Sequence, residues 1–149
     1  MASIFDSSTL TVVIQENIKL NNNNYGSRTE INLGKINEVS QRIVSVPTTQ
    51  TTILSMSSAV GAGTYLSSSI QYVRLTNLDN TNWVRLTFAS GSKNQFDVRL
   101  DAKKSYIFTN DAYSGSASGG TFNDFASFTN LKAVASGSAV DVELFVAAT

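Results

Sequence analysis

Residues 70–109 read IQYVRLTNLDNTNWVRLTFASGSKNQFDVRLDAKKSYIFT, and their alternation decides the fold class. Apolar and polar side chains take turns through Ile70 to Leu75, Trp83 to Phe88, Phe96 to Leu100 and Ser105 to Thr109. A period of two is the signature of a strand with one buried face. The linkers Asn77 to Thr81, Ser90 to Asn94 and Asp101 to Lys104 are hairpin-sized and rich in Asn, Asp, Gly and Ser, so the stretch predicts a four-stranded antiparallel meander.

The same texture extends in both directions. In Leu10 to Leu20, Leu10, Val12, Ile14, Ile18 and Leu20 form an inward, core-facing row that Glu16 alone breaks, and Thr11, Gln15, Asn17 and Lys19 face the other way. Asn21 to Gly26 then reads as a turn, because Asn and Gly tolerate left-handed backbone. Further strands are expected at Thr29 to Leu33, Arg42 to Val46 (closed by Pro47), Thr51 to Met56, Leu131 to Ala135 and Val140 to Val146, about eight to ten in all. Phe122, Phe125 and Phe128 recur every three residues, which suits a packed loop or single helical turn between Thr121 and Thr129 that plugs one end of the core. No period of 20–50 residues repeats, which disfavours solenoids and propellers. The expectation is an all-β protein: a single-domain antiparallel β-sandwich over residues 1–149, with a jelly roll as one form of it, and a short N-terminal arm of about residues 1–8.

Composition removes several function classes. The chain has no His and no Cys, so the usual general base, the commonest metal ligand and the strongest nucleophile are all missing. The residues call for no cofactor and no metal, and the protein reads as non-enzymatic. Eleven basic residues balance eleven acidic ones, and charged residues make up 15% of the chain while Ser, Thr and Asn number 50. That balance argues against nucleic acid or an anionic membrane as a partner. MASIFDSSTL lacks the basic and apolar regions of a signal peptide, and no apolar run approaches the ~18 residues that span a bilayer, so synthesis in the cytoplasm is expected.

The assumed meander register points to one surface. With the first turn centred between Asp79 and Asn80, Arg74 lies opposite Arg85, and with the second near Ser92, Arg85 lies opposite Arg99. All three then share a face with Tyr72, Trp83, Asp97 and Asp101, opposite the inward set Val73, Leu75, Val84, Leu86, Phe88, Phe96, Val98 and Leu100. Arg, Tyr and Trp are enriched at interface hot spots, so Tyr72, Arg74, Trp83, Arg85 and Arg99 are the candidate interface residues. The alternative is a solvated face neutralised by Asp97 and Asp101. Asp79 to Asn82 offers alternating oxygens but lacks the Gly and distal Glu of a calcium loop, and reads as an Asx-type turn. Glu16, Glu30, Glu38 and Glu143 are the carboxylates that a glycoside hydrolase would have to pair. The Gly-rich run Ser114 to Gly120 lacks the Lys-Ser or Lys-Thr pair of a phosphate loop.

The segments INEV (Ile36 to Val39), RIVSVP (Arg42 to Pro47), YVRLTN (Tyr72 to Asn77), WVRLTF (Trp83 to Phe88) and LDAKKSYIF (Leu100 to Phe108) resemble small virion structural proteins of tailed bacteriophages, especially those of marine cyanobacteria. The resemblance covers roughly residues 10 to 146 in texture and order. It implies an all-β accessory protein of the particle, located in the virion, in the manner of a capsid decoration or cement protein. Its implied partners are the major capsid protein or other virion proteins and copies of itself in a homo-oligomer such as a trimer. Met1 to Ser8 and the loop beginning at Ala112 would then serve as bridging arms. The rival reading is a phage tail or fibre module, or a carbohydrate-binding β-sandwich, which would stack sugars on Trp83, Tyr65 or Tyr113.

Overall fold

The four runs between residues 70 and 109 all form strands in the computed structural model, which describes residues 6–57, 64–112 and 127–149. In chain order the strands are β1 (Ser8–Gln15), β2 (Ile18–Leu20), β3 (Asn23–Tyr25), β4 (Arg28–Ile36), β5 (Glu38–Val46), β6 (Thr51–Ser57) and β7 (Tyr65–Leu66). They continue as β8 (Ile70–Asn77), β9 (Val84–Ser90), β10 (Lys93–Leu100), β11 (Ser105–Thr109), β12 (Asn130–Ala135) and β13 (Val140–Ala148). The three strands beyond the expected ten are β2, where the Leu10 to Leu20 run divides, and the short β3 and β7.

Two sheets face each other across the core. One has the order β11-β8-β13-β5 and the other β10-β9-β12-β6-β7, antiparallel throughout except for the short β6–β7 pair. The eight long body strands thus pair as β5-β13-β8-β11 and β6-β12-β9-β10, the double Greek-key order of a jelly roll. The expected sandwich is therefore observed, in its jelly-roll form. The inward set is inward: Val73, Leu75, Val84, Leu86, Phe88 and Leu100 are buried, and Phe96 and Val98 pack against them. Burying each such side chain contributes roughly 1.5–3 kcal/mol. At one end of the core Phe88 stacks on Phe96 (4.5 Å between centroids) and meets Phe108 and Phe128 at 5.1 and 5.4 Å. Phe128 is thus the core plug expected of it, whereas Phe122, Phe125 and most of the expected turn lie outside the described residues.

The four strands from residue 70 to residue 109 do not form the expected meander, because β8 and β11 lie in one sheet and β9 and β10 in the other. Only β9 and β10 form a hairpin, closed by Gly91-Ser92 with Gly91 at φ +59°. The links β8–β9 and β10–β11 cross from one sheet to the other. They are hairpin-sized, and their other role is set by Asn77, which is fully buried. Its amide donates to the carbonyls of Asn82 (2.9 Å) and Leu100 (3.1 Å), and its Oδ1 accepts from the Asp79 N–H (2.9 Å). Its backbone N–H donates to Lys104 O (2.9 Å) and its carbonyl accepts from Lys103 N (3.1 Å). One side chain and its peptide groups thereby tie both crossovers together.

Chemical denaturation checks this account. Leu131→Ala should cost about 2–5 kcal/mol by opening a core cavity. Asn77→Ala, which strands the buried groups it had satisfied, should cost on the order of 3 kcal/mol. Ile18→Ala, on the exposed ribbon described below, should change stability by less than about 1 kcal/mol.

Candidate interaction surface

Strands β1 to β4 form one long two-stranded ribbon beside the sandwich. Leu10 pairs with Leu33, Val12 with Ile31, Ile14 with Thr29, Ile18 with Tyr25 and Leu20 with Asn23, in a single register from base to tip. The turn is Asn21-Asn22 alone, at φ +50° and +64°, as a two-residue type I′ hairpin loop requires. Asn23–Tyr25, expected within the turn, is strand. Glu16 interrupts the ladder at the residue where the apolar row breaks: its N–H donates to Ser27 O and its carboxylate accepts from Ser27 Oγ, both at 2.9 Å. Gly26, next to Ser27 and opposite Asn17 in this register, has φ +136°, and a Cβ there would lie 2.0 Å from Glu16 O. Near the base a bulge at Gly34-Lys35, with Lys35 at φ +60°, bends the ribbon where it joins the body.

Opposed residues of an antiparallel pair share a face, so the apolar row of residues 10–20 gains Leu33, Ile31 and Tyr25 from the returning strands. The base of this stripe is covered by the body. Leu10, Val12 and Leu33 pack with Ile36, Tyr72, Ala147 and Phe145, on the outer face of the four-stranded sheet. A groove of about 300 Å³ runs between β1 and that face, lined by Leu10 to Ile14, Tyr72, Arg74, Ile107 and Phe145. Beyond the base the stripe is open: Ile31 is 40% exposed, Ile14 41%, Tyr25 55%, and Ile18 and Leu20 56% each. The row read as core-facing is therefore buried at one end only. On the sheet face that holds the base, Val39 and Ile43 of the edge strand β5 are 56% and 64% exposed.

The arginine row is broken by the crossovers. Arg85 and Arg99 do stand opposite each other on β9 and β10. Arg74 lies on β8 in the other sheet, opposite Phe145 and Ile107, so it cannot face Arg85. On the outer face of the five-stranded sheet the charges neutralise one another: Arg99 Nε donates to Asp101 (2.7 Å), and Arg85 lies 3.8 Å from Asp97. Arg99 also sits over the Trp83 ring, 5.1 Å from its centroid, and so occupies one face that a sugar would stack on. On the opposite side of the molecule Arg74 pairs with Glu143 and donates to Thr76 Oγ1 (2.7 Å). Tyr72, expected among exposed residues, is buried beneath the ribbon base with its ring edge-on to Phe145. Burial raises its phenol pKa, against a smaller opposing pull from Arg74.

Of the candidate carboxylates, Glu16 and Glu30 sit on opposite faces of the ribbon, and Glu38 and Glu143 lie well apart along the sheet. Glu30 stands opposite Val13, on the ribbon face away from Glu16, and binds Arg28. Glu38 pairs with Ala148, five residues along β13 from Glu143, or about 17 Å at ~3.4 Å per residue, which exceeds the ~9.5 Å of an inverting pair. Asp79 forms the expected Asx turn: Oδ1 accepts the N–H groups of Thr81 and Asn82, each at 2.7 Å.

No family model and no curated protein matches the chain. Among solved structures it is similar to a chain from the Bacillus endospore appendages, which form a novel family of disulfide-linked pili, with 13% identity over 75% of this chain and 85% of that one and a TM-score of 0.48.

The Asp79 turn predicts a pH effect of definite sign. The N–H groups of Asn82 and then Thr81 hold its carboxyl below the usual carboxylate range. The turn therefore stabilises the fold fully above the unfolded carboxyl pKa, and loses that contribution as pH falls through the folded value. Thermal melting against pH should show Asp79→Asn less stable than the native chain at neutral pH, with the gap narrowing on acidification.

Proposed function

We propose that this protein is a non-enzymatic structural subunit that acts by adhesion, as a decoration or cement protein bridging capsid subunits of a phage head. The observation that carries the reading is the ribbon, an apolar stripe beside the jelly roll whose one charged residue is Glu16, with Ile14, Ile18, Leu20 and Tyr25 open to solvent. Exposed contiguous apolar surface rimmed by polar residues is the physical mark of a contact surface. Jelly rolls build capsid proteins as well as lectins, so the fold accommodates this role without selecting it. The choice of a phage particle rests on the sequence resemblance over INEV, RIVSVP, YVRLTN, WVRLTF and LDAKKSYIF.

In this reading the protein is made in the host cytoplasm and ends in the virion, with the major capsid protein and its own copies as partners. Many modest contacts repeated over a symmetric shell add through multivalency, so no single site has to bind tightly. Sedimentation of the purified protein with phage capsids that lack it tests the proposal. Saturable co-sedimentation, reduced at least tenfold by Ile18→Asp with Leu20→Asp, is expected. A protein that remains in the supernatant at every ratio overturns the capsid role.

A further inference from the structure

We infer that the outer half of the ribbon is a self-association element: its apolar stripe docks on the Val39–Ile43 row of β5 in a second copy of this chain, and the exchange is reciprocal. The first ground is that the molecule already contains the kind of contact required. The base of the same stripe is buried through Leu10, Val12 and Leu33 against the outer face of the four-stranded sheet. That face continues past the covered part to Val39 and Ile43 on the edge strand. The uncovered half of the ribbon and the uncovered margin of the sheet are thus extensions of two surfaces that fit each other inside one chain.

Spacing and charge agree. Ile14 and Ile18 are four residues apart along one strand, as are Val39 and Ile43 along the other, and both intervals are about 14 Å in extended chain. On the stripe only Glu16 carries a charge, and Ser27 occupies its carboxylate. The facing row of Val39, Gln41, Ile43 and Ser45 carries none. With eleven basic and eleven acidic residues the chain has no net charge to hold two copies apart.

Area decides the symmetry. From residue 14 to residue 20 the ribbon is about 20 Å long and about 10 Å wide, so one ribbon on one partner face removes on the order of 400 Å² from the two surfaces together. A reciprocal exchange between two copies doubles this to about 800 Å², the size of a weak and reversible dimer, where a one-sided contact would bury too little to persist. An isolated two-stranded ribbon is also marginal in water, and docking would supply its outer half with the cover that the body gives its base. The stripe on which the proposed capsid contact rests is here assigned to a second copy of the chain, so the two readings compete for one surface and separate by experiment. A dimer that ignores capsids would remove that role and leave this one, and a monomer that binds capsids would do the reverse.

The chain has no cysteine, so introduced ones report without background. Chains carrying Ile18→Cys and chains carrying Ile43→Cys should be mixed and oxidised mildly, with each variant alone as control. The inference expects a dimer by sedimentation velocity, a disulfide between positions 18 and 43 only in the mixture, and at least a tenfold weaker dimer for Ile43→Asp at unchanged circular dichroism. A monomer at the highest soluble concentration, a trimer, or a dimer without the 18–43 cross-link would each overturn it.

Discussion

The buried amide of Asn77 is the constraint on which the body depends. Apolar burial alone would accept several strand orders, because Val73, Leu75, Val84, Leu86 and Leu100 would be buried in a flat meander as readily as in two facing sheets. Asn77 discriminates between these arrangements. Its side chain is satisfied only where Asn82 O, Leu100 O and Asp79 N converge, and its peptide groups only where Lys103 and Lys104 arrive beside them. That convergence exists when the chain leaves β8 for the opposite sheet and returns after β10. An unmet buried amide costs several times a typical net hydrogen bond, so the polar contact selects the topology while the apolar core supplies the driving force.

What was legible in the sequence follows from this division of labour. Alternation states which face of a strand a residue occupies, and so the inward set, the strand positions and the β9–β10 register with its Arg85–Arg99 pair were all readable. Alternation does not state which strand lies alongside. The link from Asn77 to Trp83 has hairpin length and hairpin composition, yet it joins two sheets, and Arg74 left the row for that reason alone. Tyr72 has the outward parity assigned to it, but what covers it is the ribbon base, more than 35 residues away in the chain. The ribbon itself was half visible: the Asn pair of its turn and the break at Glu16 stand in the sequence. An apolar row implies a cover without saying whether the same molecule provides it.

The two outer faces of the sandwich differ in physical character. On the five-stranded sheet, Arg85, Asp97, Arg99, Asp101 and Trp83 satisfy one another, and such exposed pairs contribute little to stability. On the four-stranded sheet, the Arg74–Glu143 pair sits among apolar side chains beside the ribbon base, and the open residues are Val39, Ile43 and Ile107. The first face is content in water. The second, with the ribbon that crosses it, is where the exposed large apolar side chains of the described residues lie, all on one side of the molecule.

Amide hydrogen exchange of the ribbon across a dilution series tests this account most directly. If a second chain covers the stripe, the amides of residues 14–29 should be protected at high protein concentration and exchange rapidly on dilution, while those of β8 and β13 stay protected throughout. Ribbon protection that does not change with concentration would contradict the account, because it would mean that the ribbon is complete within one chain.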